Sequence, residues 1–436
     1  MRPISHLRAL AFGSGSIAVA AAVVTPQLLL LYFLTEILGV PPAWAGLAVL
    51  VPKLWEFIFD PLIGHFSDQL ARSWGRRVPF LAAGTLLFAP SFALLFAPPH
   101  VTDWRLSLAI VTVSYVVCTS AYSIFAVPFI TLPGEVSDDP AIRTRVVAWR
   151  IGFVGIGILA AGGLAPVLVQ IGGGGRAGYA FMGVMLSALC GVVMAISTAA
   201  ARGFAVTSPA PPPGLAQNPI HRLLASRAYR WLWISYVVQM IAAAGTAASL
   251  PYAAKHILHL PASGVATLFI AITAGNLVSM PVWVALRARL GGLGAYRLAS
   301  IACVLGSASL FVVQVGGMML PITACVLAGI GQAGQQLLPL ALLPAAARAG
   351  AEEAGAYHAG LFTGIWVAGE KLGFALGGAM TGFLLGAAGY VAGGGAQTAG
   401  AIAAIPWTFA LVPAMIYAAS LVPLLRLKGV APGLGD

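Results

Sequence analysis

The chain has 436 residues, of which 60% are hydrophobic and 8% charged, where a soluble domain carries about 25% charged residues; a water-soluble fold is excluded. The formal charge of +11 does not point to nucleic acid, because the basic residues come in short clusters between apolar stretches and not along one polar face. The four cysteines, Cys118, Cys190, Cys303 and Cys325, sit inside apolar stretches with no Cys-x-x-Cys and no histidine spacing for a metal, so inert thiols and no metal site are expected.

A helix needs about 20 apolar residues to cross the hydrocarbon core. Polar punctuation divides the first part of the chain into stretches near 9–37, 42–66, 78–97, 106–132, 146–171 and 177–200. The second part divides near 229–256, 263–286, 295–315, 318–346, 357–389 and 401–425. The fold class this predicts is an all-α integral membrane protein of about twelve transmembrane helices. The first stretch runs well beyond a signal-peptide core and ends in no small-residue cleavage pattern, so it reads as a retained helix. The 52 glycines and 29 prolines suit helices whose neighbours satisfy freed backbone groups and whose backbones approach closely.

Between the two sets of stretches lies the run from Ser208 to Gly214 (SPAPPPG), polar and proline-rich, which cannot span and reads as a linker. The expected organisation is an N-terminal six-helix half, 1–201, a cytoplasmic linker, 202–228, a C-terminal six-helix half, 229–428, and a tail, 429–436. Arginines and lysines fall on one side of the membrane in this arrangement: Arg2 and Arg8, Arg72, Arg76 and Arg77, Arg143 and Arg145, the linker arginines, Arg287, Arg289 and Arg297, Arg348, then Arg426 and Lys428. Only Arg105, Arg176 and Lys255 lie on the other, so both termini are expected in the cytoplasm, with the plasma (inner) membrane as the default location. An internal repeat supports two halves: Pro61 leads to the Arg72–Arg77 loop as Pro281 leads to Arg287, Arg289 and Arg297. Repeats of this kind place a solute site near the midplane between them.

An ionised side chain at helix-centre depth costs at least ~2.5 kcal/mol on insertion scales, so each one is a functional hypothesis. The interior charges are Lys53, Glu56 and Asp60 in the second stretch, Arg150 in the fifth, and Glu370 with Lys371 in the eleventh. Lys53, Glu56 and Asp60 stand at i, i+3 and i+7, on one helix face that Gly64 continues. A structural salt bridge from Lys53 to Glu56 is one reading; a cation or proton site at Asp60 is the other, since a carboxylate supplies hard oxygen ligands or binds a proton itself. Glu370 and Lys371, being adjacent, point about 100° apart. Lys371 occupies in the second half nearly the place of Arg150 in the first, as a counter-charge to Glu56 and Asp60 would, while Glu370 either serves that network or neutralises Lys371. His65, His256, His259 and His358 lie near helix ends, where a hydrogen-bonded or interfacial role is expected. Tyr122, Ser123 and Phe129 in the fourth stretch and Trp366 in the eleventh offer aromatic faces and hydroxyls that suit a sugar, with helix packing as their alternative role.

The run from Trp55 to Asp68 (WEFIFDPLIGHFSD), followed by Arg72 to Phe80 (RSWGRRVPF), resembles the second helix and following loop of the glycoside–pentoside–hexuronide:cation symporters, the melibiose-carrier branch of the major facilitator superfamily. Ala126 to Phe129 (AVPF) with Glu135, Asp138, Asp139 and the Arg143–Arg150 segment resembles that family's fourth helix, acidic loop and fifth-helix arginine, and Gly369 to Gly377 (GEKLGFALG) its eleventh helix. The resemblance implies that Glu56 and Asp60 are the cation-coupling carboxylates, with Lys371 and Arg150 completing the charge network. It implies that Gly64, Asp68, Gly75, Arg76 and Arg77 form a cytoplasmic gate and that Tyr122 and Ser123 face the substrate cavity. The chain departs from the sodium-coupled sugar carriers at Ala126 and Phe59, where a carboxylate and an amide are usual, in a first helix without an acid at cavity depth, and in the Ala345–Gly350 loop, which lacks an aspartate. Sodium needs several oxygens, so these losses favour proton coupling, or none.

The resulting expectation is a secondary transporter, not an enzyme, that couples a small polar solute such as a sugar to H+ or Na+ by alternating access. Its partners are the solute and the bilayer, without nucleic acid; it has no cofactor beyond the coupling ion, and a monomer is expected. An uncoupled carrier of a lipid, drug or other organic solute is the alternative. A polytopic enzyme or receptor is remote, since no nucleophile, metal cluster or histidine-rich constellation lies at membrane depth and the loops are short.

Overall fold

The computed structural model describes residues 5–74, 76–137, 139–202, 204, 226–314, 317–354 and 359–427. Gly75, Asp138, His358, Lys428, the tail and nearly all of the expected linker lie outside the described residues. Two compact units divide the chain. The first comprises Met1–Pro211 with Pro261–Ala266 and Ala392–Gly395; the second comprises Pro212–Leu260, Thr267–Val391 and Ala396–Asp436.

The first unit holds α1 (His6–Ile37), α2 (Pro42–Trp74), α3 (Val78–Phe96), α4 (Trp104–Thr131), α5 (Pro140–Ile171) and α6 (Gly175–Ala201). The second holds α7 (Arg227–Ile257), a helical run Ala262–Ser309, from Thr267 on, that breaks at Gly291 into α8 and α9, then α10 (Met319–Ala354), α11 (Ala359–Ala387) and α12 (Ala399–Arg426). Every stretch picked out by apolar length therefore falls on a helix. Among the described residues, nine helices are long and apolar enough to cross a membrane, the run through Gly291 counting once. The two helices that carry adjacent or clustered interior charges, α2 and α11, are not among the nine.

Helix ends differ from the apolar boundaries where the helix outlasts the hydrocarbon. Apolar length stops the second stretch near residue 66, yet α2 continues to Trp74. A helix satisfies its own backbone in water as it does in lipid, so polarity alone does not end it. At Gly291 the break is conformational, with φ 72° and ψ 167°, a geometry open to glycine and costly for any residue with a Cβ.

The internal repeat extends beyond proline spacing. α1 closes in a π-turn, Phe33–Ile37, and α7 in another, Ala253–Ile257. After the first, the Leu38 and Val40 amides donate to the Phe33 and Leu34 carbonyls; after the second, Leu258 and Leu260 donate in the same pattern to Ala253 and Ala254. The sequence separation of these two turns equals that of Pro61 and Pro281. Each unit thus ends its first helix with the same π-bulge, a feature found mostly at functional positions.

Small residues set how closely helices cross. Gly369, Gly373 and Gly377 recur every fourth residue on α11, and a Cβ on any of them would collide with Trp233, Met240 or the Ile241 carbonyl of α7. In the first unit, a Cβ at Gly13 would stand 3.0 Å from the Trp149 backbone, so α1 passes directly over the segment that presents Arg150. Close crossings of this kind take the place of hydrophobic burial, which drives little association between helices in lipid.

A polar network ties α7, α9 and α12. The buried Gln239 amide donates to Ser300 Oγ at 2.8 Å and Ser420 Oγ at 2.9 Å, and accepts from Tyr296 Oη at 2.9 Å. Replacement of Gln239 by Leu should leave the Tyr296 hydroxyl buried without its acceptor, lowering stability by about 1–3 kcal/mol. Thermal unfolding in detergent checks this, and Gln239→Leu combined with Tyr296→Phe should cost less than the two changes separately.

Candidate functional site

α2 carries the site of the first unit. Lys53 Nζ lies 2.6 Å from Glu56 Oε1, with side-chain exposures of 10% and 1%. The salt-bridge reading for Lys53 is thus realised. The ammonium also sits 5.7 Å from the centre of the Tyr115 ring on α4, whose π-face favours a cation. Breaking a buried pair of this kind by removing one partner is far more costly than replacing both, since the remaining charge stays desolvated. Asp60, one turn further along the same face, is partly exposed, and the Lys53 bridge goes to Glu56. The two carboxylates therefore differ in burial.

α4 and α5 bring the remaining first-unit residues. Trp55 Nε1 donates to Ser120 Oγ at 2.8 Å, fixing α2 on α4, and the Trp55 and Phe59 rings stack at 5.4 Å. The Arg150 guanidinium lies over the Phe129 ring at 4.7 Å. Tyr122 is within electrostatic reach of both Lys53 and Arg150. Among the aromatic and hydroxyl candidates, Tyr122 is partly exposed, whereas Ser123 and Phe129 are fully buried. Phe129 packs between Phe12 and Phe125, which is the packing role.

In the second unit, Glu370 lies within electrostatic reach of the Tyr236 phenol of α7 and of Lys371. The glycine stripe explains this contact: with Gly369 and Gly373 against α7, the intervening Glu370 is carried close to the same helix. Trp366, expected to line a cavity, is 1% exposed and stacked on Tyr236 at 4.3 Å inside the apolar cluster of α7, α9 and α10. Its place is in the core, because it stands one turn before Gly369, on the α11 face that packs on α7.

The expected gate is only partly assembled from the residues named for it. Arg77 is 2% exposed and forms a two-pronged pair with Glu135, Nε to Oε2 at 2.7 Å and Nη2 to Oε1 at 2.6 Å. The same guanidinium donates to Asp68 Oδ1 at 2.6 Å and Ser67 Oγ at 2.7 Å. Arg76 is exposed, Gly75 is outside the described residues, and a Cβ at Gly64 would meet only Val127 at an ordinary 3.8 Å. Burial alone would lower the Arg77 pKa, and the hydrogen bonds to Glu135 and Asp68 outweigh it, holding the guanidinium above its ordinary value. A cation stabilised this way loses its contribution only as pH rises through that raised value, so Arg77 stays charged at any working pH.

Two residues escaped the sequence reading. Ser67 gives no signal in a motif dominated by charges. Glu36 is 4% exposed in the π-turn of α1; it stands at the end of an apolar stretch, where an acid reads as a boundary. All four cysteines are buried and free, and His256 shares a 2.8 Å hydrogen bond with Tyr390 Oη, as expected of a helix-end histidine.

Long apolar helices with charges set among them are those of a membrane transporter, and the family match makes it one of the major facilitator type. The family model described as MFS/sugar transport protein matches residues 11–428, and the chain belongs to that family; the resemblance to the glycoside–pentoside–hexuronide:cation symporters is borne out. An uncharacterized symporter of Synechocystis sp. is 25% identical over 88% of this chain and 86% of its own. The glucuronide carrier protein homolog of Escherichia coli is 25% identical over 92% and 88%. Among solved structures, a bacterial homolog of the human lysosomal transporter Spinster, inward-facing and unoccupied, aligns with a TM-score of 0.70 over 99% of this chain and 96% of its own at 12% identity, a likeness of fold.

Arg77→Lys retains the charge and loses the two-pronged geometry, which lysine cannot reproduce. It should lower the unfolding temperature, as should Glu135→Gln. The double variant should fall short of additivity by about 1.5–3 kcal/mol, the range for hydrogen bonds to charged groups, measured in a double-mutant cycle.

Proposed function

We propose that the chain is a proton-coupled symporter of a sugar or related small polar solute, working as a monomer in the inner membrane with both termini cytoplasmic. Asp60 is the coupling carboxylate. The observation that carries this is the division of labour on α2: Lys53 is bonded to Glu56 at 2.6 Å, so Glu56 has a fixed counter-charge, while Asp60 stands a turn beyond that pair at partial exposure. A carboxylate that gains and loses a proton in each cycle must be reached from water, and Asp60 is the less buried of the two, although its Oδ1 is itself buried.

In this reading Glu56 and Lys53 form the fixed part of the network. Tyr122 transmits the protonation of α2 to Arg150, and Lys371 with Glu370 forms the corresponding charge of the second unit. Arg150 and Tyr122 hold the solute hydroxyls, for which guanidinium and phenol donors are suited. Arg77, Asp68 and Glu135 form the cytoplasmic latch that opens and closes in the cycle. Proton in place of sodium follows from the oxygen count: with Ala126 where related carriers have a carboxylate, too few ligands remain to replace sodium's hydration shell. The kinship with a glucuronide carrier homolog supports a sugar or sugar acid as the solute.

The test is uptake of labelled sugars and sugar acids into proteoliposomes under imposed proton or sodium gradients, with wild type compared with Asp60→Asn. Accumulation driven by the proton gradient should be lost in Asp60→Asn while equilibrium exchange persists. Equal, gradient-independent fluxes in both proteins would instead support the uncoupled carrier, and sodium-driven accumulation would overturn the choice of ion.

A further inference from the structure

We propose that the second unit recognises the solute through three uncharged amides, Asn276 on α8 with Gln332 and Gln336 on α10, whose partners are the hydroxyls of a polyhydroxy compound. This rests on the transport reading above. It names the second unit's own contribution, a role for which Trp366 was expected and which its place in the core rules out.

Depth is the first observation. Asn276 stands halfway between Ala262 and Gly291 on α8, and Gln332 halfway between Met319 and Ala346, the apolar span of α10, with Gln336 one turn further on. The middle of a spanning helix lies near the bilayer midplane, the level at which transporters bind their solutes. Exposure is the second observation. Gln336 is exposed, and Gln332 and Asn276 are partly so. An amide turned to hydrocarbon leaves its donors and acceptor unmet, so open amides at this depth line water.

Helix geometry joins the three. Gly329, Gln332 and Gln336 stand at i, i+3 and i+7 and share one face of α10. A Cβ on Gly329 would lie 2.9 Å from the Asn276 backbone nitrogen, so the close crossing of α8 and α10 sets Asn276 at the start of that face. The core side of α10 is a different one: Gly331 and Gly334 bear on Cys303, Ala299 and Trp283. Asn276 is likewise turned away from lipid, since Val278, two residues on and nearly opposite around the helix, is 77% exposed. Among the described residues no hydrogen bond engages these three amides, whereas Gln239 spends its own on Ser300, Ser420 and Tyr296. A glutamine amide presents a donor and an acceptor side by side, a pattern that two neighbouring hydroxyls complement with one bond accepted and one donated. Being uncharged, it reads the hydroxyls of the solute and not its charge.

The first arm of the test asks whether this face meets water. Gln332→Cys, Gln336→Cys and the lipid-side control Val278→Cys are treated in proteoliposomes with a charged methanethiosulfonate reagent. The native cysteines are buried, and the reagent takes only a thiolate, which forms in water. The glutamine positions should label roughly tenfold faster than the control or more; labelling at the control's rate would overturn the proposal. The second arm measures uptake of labelled sugars and their deoxy analogues by wild type, Gln332→Leu and Gln336→Leu. KM should rise by about tenfold, the worth of one ordinary hydrogen bond, with the maximal rate changed by less than about twofold. The preference for the sugar over at least one deoxy analogue should fall to near unity. Gln332→Asn and Gln336→Asn keep the amide and carry the same comparison if a leucine variant does not fold. Uptake by wild type with KM and discrimination unchanged in the variants would overturn these amides alone. A wild type that neither carries any of the sugars nor has its cysteine variants protected by them from labelling would overturn the hydroxyl partner together with the sugar reading.

Discussion

Hydrocarbon offers no partner to a charge or to an open hydrogen bond, and the internal arrangement of this protein follows from that constraint. Several interior charges are met by groups the protein itself provides. Lys53 has Glu56 and the Tyr115 ring, Arg150 has the Phe129 ring, and Glu370 has the Tyr236 phenol. Aromatic faces recur because they lower the cost of a buried cation without adding a second charge that would itself need solvation. Arg150 is held against an aromatic face, whereas Lys53 has both a ring and a full salt bridge.

The same constraint separates helix ends from helix centres. At the end of α2 the Arg77 side chain is buried by protein and surrounded by three oxygen-bearing side chains, with Glu135 gripping it in two places. Such geometry is specific and costly to distort, unlike an exposed ion pair. The Arg77 cluster is internally complete.

Packing by small residues links these sites to the scaffold. The Gly369, Gly373 and Gly377 stripe draws α11 onto α7 and in doing so delivers Glu370 to Tyr236, while Gly13 lets α1 cross the backbone that presents Arg150. A larger residue at these positions would move a charged group, not only open a gap, so the glycines matter to the site as well as to the fold.

Much of this was legible in the sequence. Apolar length located the helices, because the thickness of the hydrocarbon core leaves little freedom in it. The period of 3.6 residues placed Lys53, Glu56 and Asp60 on one face, and the scarcity of charges made each of them conspicuous. What the sequence by itself could not decide was partnership. That Arg77 reached across to Glu135, that Trp366 turned into the core and that Glu36 lay buried all depend on packing between helices distant in the chain. Helical periodicity is a local property, fixed by one segment's backbone; the partner of a buried charge is set by which helices pack together and how closely, and only the tertiary structure determines that.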